Sequence, residues 1–215
     1  MSVTRKEFEK LYSAELLPSS MQNYSIGDVW DWRGFLTQRL MFQGMNIADI
    51  FKNKDLKQKL SGIQLIDAML PEVDLTSDII VDASVDIPIL KDIKIGNNLD
   101  IKSIVKFSYG KVTGKNILPC RPELDEALDN LKINDFLKYK KEIRNFEIVI
   151  GLFYASDVVL VVDKTVSDTG DLKLKIENAG LEFKANVSTS NQETITIKST
   201  SNCPFAAQLI TGRDL

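Results

Sequence analysis

Apolar and polar residues alternate along several stretches of the chain beyond residue 79, and this period of two predicts strands with one buried and one wet face. The stretches 79–87 and 99–109 lie on either side of Gly96-Asn97-Asn98, a sequence typical of a turn. Together they predict a long antiparallel hairpin. Because Pro88 lacks a backbone donor, the first strand is either an edge strand or bent at that point.

A second hairpin is predicted between residues 171 and 188, where Asn178-Ala179-Gly180 interrupts the alternation. Residues 194–199 and 205–210 predict two further short strands. The stretch 146–162 is apolar on both faces over much of its length, which predicts one strand at the centre of the sheet.

Helical spacing of apolar residues occurs in three places. Thr4 and Glu7 have the spacing of a capping box, and an amphipathic helix is predicted to follow over residues 8–16. Asn46–Phe51 predicts a capped helical turn. Pro122 is expected at the first position of a helix of about 20 residues.

These elements predict an α+β fold built on a twisted, mostly antiparallel sheet with long hairpins and flanking helices. Two short strands are also expected between residues 24 and 45, around a turn at residues 30–34. The sequence contains no low-complexity linker and no clear internal repeat. We therefore expect a single domain over residues 1–215.

The composition excludes several kinds of chemistry. The chain has no histidine, which removes the usual general base and neutral metal ligand near pH 7, and neither GxGxxG nor GxxxxGK[ST] occurs. Carboxylates are plentiful, but no pair of them stands beside a cleft signal, and Asp125, Glu126 and Asp129 fall on a predicted exposed helix face. We expect no catalytic residue, no metal and no cofactor, and so a protein that is not an enzyme.

Two cysteines, Cys120 and Cys203, lie in loop sequence beside prolines. Their number and spacing do not fit a multi-bridge scaffold or a zinc site. A thiol in such a loop can be exposed enough to oxidise, so both are candidate redox residues. The alternative is that both thiols are inert.

The charge of the chain argues against a general affinity for polyanions. The net charge is −3, so no nucleic-acid partner is expected, and any contact with acidic lipid needs a local basic patch. Lys52, Lys54, Lys57 and Lys59 predict one such patch, although a solvated helix face explains the same spacing. No run of roughly 18 apolar residues and no secretory signal occurs, so the cytoplasm is the expected location.

The strand pattern is compatible with two different environments. A soluble sheet needs one buried and one wet face, but a hairpin that lines an aqueous pore and contacts lipid needs the same alternation. A tilted strand that crosses a bilayer has about 9 to 11 residues, and the predicted hairpins reach or approach that length.

The order of elements resembles the pore-forming amino-terminal domain of the gasdermin family. The resemblance includes the predicted first helix at residues 8–16, the segment Leu16–Met21, the aromatic Trp30-Asp31-Trp32, the segment Met45–Ile50 and the last strand, Phe205–Ile210. The matching positions are spread over nearly the whole chain. The resemblance implies a short member without the carboxyl-terminal repressor domain that many gasdermins carry.

The resemblance also implies an activity and the residues that perform it. Monomers would oligomerise on an acidic inner leaflet and insert two hairpin regions as a β-barrel, in cell death (pyroptosis) or immune defence. An inhibitory partner or self-association could restrain a short member, with a disulfide at Cys120 or Cys203 in that state. The implied lipid-binding residues are Arg5, Lys6, Lys10, Lys52 and Lys54. The implied membrane-inserting residues are Val81, Ala83, Val85, Ile87, Val105, Phe107, Leu172, Leu174, Ile176, Leu181, Phe183 and Val187. The alternative function is a non-enzymatic protein-interaction module that stays soluble.

Overall fold

The structure is a computed structural model. It describes residues 2–3, 10, 12–17, 24–31, 40–68, 74–75, 103–134, 144, 146–166, 169–187, 189–198 and 204–215.

Four helices and thirteen strands have defined bounds within these residues, and Lys10 and Tyr12 are also helical. The helices are α1 (Ile47–Phe51), α2 (Lys54–Ser61), α3 (Arg121–Asn134) and α4 (Thr169–Asn178), and a 3-10 turn at Leu118–Cys120 precedes α3. The strands are β1 (Ser2–Val3), β2 (Glu15–Leu16), β3 (Asp28–Asp31), β4 (Leu40–Asn46), β5 (Ile66–Asp67), β6 (Asp74–Leu75), β7 (Ile104–Tyr109), β8 (Val112–Asn116), β9 (Glu147–Ala155), β10 (Asp157–Asp163), β11 (Phe183–Val187), β12 (Gln192–Lys198) and β13 (Pro204–Thr211).

The strands form two sheets. Among the described residues, the first has the order β1-β6-β7-β10-β12-β11, and the second has the order β2-β13-β9-β3-β4, with β8 pairing to β9 and β5 pairing to β8. The β1–β6 pair is parallel, whereas β6–β7, β7–β10, β10–β12, β11–β12, β3–β4 and β3–β9 are antiparallel. The predicted α+β class with a mostly antiparallel sheet is confirmed.

Contacts along the chain divide it into two compact units. Unit 1 comprises residues 1–22, 67–113 and 153–206, and unit 2 comprises residues 23–66, 114–152 and 207–215. The single domain over residues 1–215 stays a prediction.

The core of unit 1 lies between the first sheet and α4. The alternate residues of β10 that face this core, Val158, Leu160 and Val162, are each at most 3% exposed. Ile195 and Ile197 of β12 are fully buried in the same cluster. Burial of such a side chain stabilises the fold by about 1.5 to 3 kcal/mol.

The helices of unit 2 follow the sequence signals closely. The side chain of Asn46 accepts a hydrogen bond from the backbone N–H of Ala48 and so caps α1, as predicted. Leu56 of α2 and Leu124 of α3 are buried on the apolar faces of their helices. Pro122 is the second residue of α3 rather than the first.

The stretch predicted as one central strand is two strands. The ladder breaks at Ser156, between β9 and β10. Asp157 accounts for the break, because its carboxylate accepts hydrogen bonds from the backbone of Lys111 and the hydroxyl of Ser156, while its backbone carbonyl accepts one from Gly110. These bonds fix a corner that continuous hydrophobicity does not reveal.

The predicted strand from residue 171 to residue 177 is helix α4, so this prediction was wrong. Leu172 and Ile176 are four residues apart and lie in the core, whereas Leu174 is 55% exposed. An i, i+4 pair shares one helix face, which explains this burial. The predicted turn at residues 178–180 is confirmed, with Gly180 at φ +71°.

The amino-terminal helix predicted over residues 8–16 does not extend to residue 16. Lys10 and Tyr12 are helical, Ser13 has a left-handed backbone, and Glu15–Leu16 forms β2. A positive φ at a non-glycine residue ends a helix, which is why the chain changes direction there.

Candidate functional site

The predicted lipid-binding residues fall in different parts of the molecule. Arg5 and Lys6 lie outside the described residues. Lys10 belongs to unit 1, has helical backbone and is exposed. Lys52 and Lys54 belong to unit 2.

Lys52 and Lys54 are presented by a fixed backbone at the junction of α1 and α2. Lys52 ends α1 with φ +53°, and its N–H points back to the carbonyls of Ala48 and Asp49. Asn53 caps α2 by accepting a hydrogen bond from the N–H of Leu56 at 3.0 Å. Both lysines are exposed, and neither forms an ion pair with a residue that the structure describes.

The other two lysines of this patch have carboxylate partners. Lys57 Nζ lies 2.5 Å from Asp49 Oδ1, and Lys59 Nζ bonds to Glu123 Oε1 at the start of α3. The hydrogen bond from Lys59 lowers the pKa of Glu123, and the same bond raises the pKa of Lys59. Half of the predicted basic surface is therefore neutralised by its neighbours.

The first predicted inserting set is only partly described. Val81, Ala83, Val85 and Ile87 lie outside the described residues. Val105 and Phe107 were expected on one strand face, but Val105 is 47% exposed while Phe107 is fully buried. A bulge causes this difference, because the register with β10 shifts between Val161 and Val162 and leaves Val105 without an opposite residue.

The second predicted inserting set lies on α4, on β11 and, for Leu181, between these two elements of unit 1. Leu172 and Ile176 are buried, Leu174 is exposed, and Leu181 is 8% exposed. Phe183 of β11 packs against the same core while remaining half-buried. The side chain of Val187 is outside the described part. As folded, these side chains do not form one continuous apolar face.

A partly buried ion pair holds α4 against β12, and the sequence did not predict it. Lys173 Nζ lies 2.6 Å from Glu193 Oε1, and Glu193 is 6% exposed on β12. The hydrogen bond from Lys173 is the main reason that the pKa of Glu193 is lowered, and the hydroxyl of Thr169 adds a second bond. Glu193 stands two residues before Ile195, at a position of β12 where the alternation has apolar residues. A charged residue at such a position was the signal from which this ion pair could have been predicted.

Cys120 is buried at 1% exposure and has a free thiol. The expectation that its loop exposes it was wrong, because the 3-10 turn directs it inward ahead of α3. Burial raises the pKa of the Cys120 thiol, and the nearby Glu123 raises it further. Both effects disfavour the reactive thiolate. Cys203 lies outside the described residues.

The described residues contain no group of three or more metal-ligating side chains that could hold an ion. None of the helices in the described part of the chain has the length and apolarity needed to cross a membrane.

No protein-family model and no curated protein matches the sequence. A solved structure does match: a bacterial gasdermin from Bradyrhizobium tropiciagri superposes with a TM-score of 0.54 at 11% sequence identity. The match covers 94% of this chain and 82% of the bacterial gasdermin. It agrees with the resemblance found along the sequence. The chain therefore has a gasdermin-like fold.

Proposed function

We propose that this protein permeabilises membranes by oligomerising on acidic lipid and inserting two hairpin regions, in cell death or defence. The likeness to a bacterial gasdermin over 94% of the chain carries this proposal. The protein acts without catalysis or cofactor. Before activation it is located in the cytoplasm, and on activation it moves to the inner face of the cell membrane. Its partners there are acidic phospholipid and further copies of the chain.

Exposed lysines supply the first contact with lipid. A lysine near an acidic leaflet contributes about 1 kcal/mol to binding. Lys10, Lys52 and Lys54 are exposed, which supports this role for them. Arg5 and Lys6 are proposed to add to the same interaction.

Insertion requires α4 to leave the sheet. In a strand, Leu172, Leu174 and Ile176 would share one face toward hydrocarbon, with Lys173 and Lys175 on the other face toward water. The partner strand would contribute Leu181, Phe183 and Val187. Barrel closure between copies would satisfy the backbone hydrogen bonds that a lone hairpin leaves open in lipid.

The residues 79–87 and 99–109 are proposed as the other hairpin region. Its lipid-facing side chains are Val81, Ala83, Val85, Ile87, Val105 and Phe107. Phe107 must leave the core of unit 1 for this purpose, because it is fully buried in the folded chain.

Dye release from vesicles tests the proposal. We expect release from phosphatidylserine-containing vesicles, little release from pure phosphatidylcholine vesicles, and weaker release at high salt because screening weakens the attraction. The double variant Lys52→Gln/Lys54→Gln should need roughly 30-fold more protein, which corresponds to about 1 kcal/mol per lysine.

The charge-matched control is Lys57→Gln/Lys59→Gln, which also removes two positive charges. Those two lysines already have carboxylate partners. We expect it to lose much less activity than the first double variant. Vesicles that stay sealed with every lipid composition and protein dose would overturn the proposal in favour of a soluble interaction module.

A further inference from the structure

The carboxylate of Glu193 joins β12 to two residues of α4, all within unit 1. It accepts a hydrogen bond from Lys173 Nζ at 2.6 Å and another from the hydroxyl of Thr169. Thr169 and Lys173 are four residues apart, so they lie about one turn apart on the same face of the helix. We call these three residues the Glu193 clasp.

The clasp holds a carboxylate in apolar surroundings. Glu193 is 6% exposed and stands opposite Val162 of β10, which is fully buried. Ile195, two residues further along β12, belongs to the same core as Val162. A carboxylate in such surroundings is costly until water or new donors reach it. The first movement of α4 away from β12 takes both donors away and therefore meets an energetic barrier.

The spacing of the two donors matches a helix better than a strand. A rise of about 1.5 Å per residue puts residues 169 and 173 about 6 Å apart along α4, whereas a strand would put them about 13 Å apart. Extension of the segment therefore separates the two groups that share the carboxylate. The clasp thus stabilises the helical form of a segment whose alternating sequence also fits a strand.

The apolar contacts of α4 specify its position less strictly than the clasp does. The helix has ten residues, and isolated helices of about that length are marginal in water. Leu172 and Ile176 are buried in the core, but the hydrophobic effect is non-directional and favours any arrangement that removes these side chains from water. Hydrocarbon would accept the same two side chains. The clasp, by contrast, exists only while α4 lies on β12.

We propose that the Glu193 clasp restrains α4 and thereby limits the rate at which the second hairpin region, residues 171–188, inserts into a membrane. Breaking the clasp precedes the conversion of α4 into a strand. This inference rests on the proposed function, because it names a restraint on a segment that is proposed to insert. The acceptor lies on β12, outside that region, so it can be changed while the sequence of the inserting segment stays intact.

Amide hydrogen exchange without lipid and dye release from phosphatidylserine vesicles, measured on the same preparations, test the inference. Glu193→Met removes the acceptor and places an apolar side chain among apolar neighbours. We expect the amides of α4 to exchange about tenfold faster and dye release to be about tenfold faster, because two hydrogen bonds, one of them charge-assisted, are lost. The amides of β10 should exchange as they do in the wild type, because the restraint is local to α4.

Two further variants separate the clasp from a change in net charge. Glu182→Gln also removes one negative charge, but Glu182 pairs with Lys198 and both side chains are exposed. It should change α4 exchange and dye release by less than about twofold. Thr169→Val keeps the net charge and removes only the hydroxyl donor, so both rates should rise about threefold, and it tests the clasp even where Glu193→Met does not fold. Equal acceleration by Glu182→Gln and Glu193→Met would assign the effect to net charge and overturn the inference.

The outcomes separate this inference from the proposed function. If α4 exchanges no faster in Glu193→Met and Thr169→Val than in the wild type, the clasp does not hold the helix and the inference is wrong, whatever the vesicles show. If exchange is faster but dye release keeps the wild-type rate, the clasp does not limit insertion while permeabilisation stands. If exchange is faster but none of the proteins releases dye, permeabilisation fails, and the clasp only stabilises α4.

Discussion

Residues 172–176 and 194–198 of unit 1 both alternate apolar and polar side chains, yet the first segment lies in α4 and the second in β12. Both pack into one core. In β12, the inward positions Glu193, Ile195 and Ile197 are all buried. In α4, Leu172 and Ile176 are buried but Leu174 is exposed.

The two segments differ in their residue types and in their flanks. Four consecutive residues of β12, Thr194 to Ile197, are β-branched, which favours a strand, whereas half of the residues of α4 are leucine, lysine or glutamate. Gly180 then ends α4 in a Schellman motif, since its N–H bonds to Glu177 and the N–H of Leu181 bonds to Ile176. Residue types and flanking residues therefore decide whether a segment with this alternation forms a helix or a strand.

The largest expected effect comes from removing the helix's buried contact. Ile176→Ala should lower the free energy of unfolding by about 3 kcal/mol, because it leaves a cavity in the core. Leu174→Ala should change it by less than about 0.5 kcal/mol, since surface substitutions have little effect. Urea titration of the two variants measures the contrast, and equal losses would mean that this segment is a strand in the folded chain.

A smaller loss is expected when the ion pair between α4 and β12 is broken. Lys173→Met leaves the Glu193 carboxylate buried without its main partner. The expected cost is about 2 kcal/mol, less than for a fully buried pair, because Lys173 is itself 30% exposed. Lys173→Met/Glu193→Leu should recover most of that loss, because no unpaired charge remains. Thermal melts of the two variants compare them, and a double variant as weak as the single one would contradict this assignment.

The same pair predicts a pH dependence. Since Lys173 lowers the pKa of Glu193, the pair contributes its full stability above the ordinary glutamate value of about 4.3 and loses it as the pH falls through the lower folded value. Wild type should therefore lose more stability on acidification than Lys173→Met does. Unfolding titrations on both sides of this range give the difference, and parallel curves would exclude the effect.

The smallest expected effect concerns the end of α4. Gly180→Ala should cost about 1 kcal/mol, because φ is +71° and no atom lies within contact of an added Cβ, so only the left-handed backbone is penalised. Gly62→Ala, after α2, is the control: its φ is −85°, and an added Cβ would meet only ordinary contacts. Urea titration should find the control unchanged, and an equal loss in both variants would refute the left-handed requirement.

Local signals predicted the parts of the fold that depend on neighbours in sequence. The Asn46 cap, the turn ending at Gly180 and the last two strands are of this kind. The corner at Asp157 was not predictable, because its hydrogen-bond partner Lys111 lies 46 residues earlier. The bulge at Val105 likewise depends on pairing with β10, which a single strand does not encode.

Some features of the candidate site were likewise predictable from the sequence, whereas others depend on contacts between distant residues. Exposure of Lys52 and Lys54 follows from their places at helix ends, which the sequence reveals. Neutralisation of Lys59 does not, since Glu123 is 64 residues away. Burial of Cys120 was also unpredicted, because the turn that buries it is fixed by a backbone hydrogen bond from Ile117 to Ile150 in β9.

Electrical recording across a planar bilayer is the most direct measurement of permeabilisation by this gasdermin-like fold. In a bilayer containing phosphatidylserine, we expect discrete upward steps of current, each marking one completed pore, and no steps in pure phosphatidylcholine. An acidic bilayer that stays non-conducting at every protein dose, or one that fails through a smooth ramp without steps, would contradict permeabilisation by this protein.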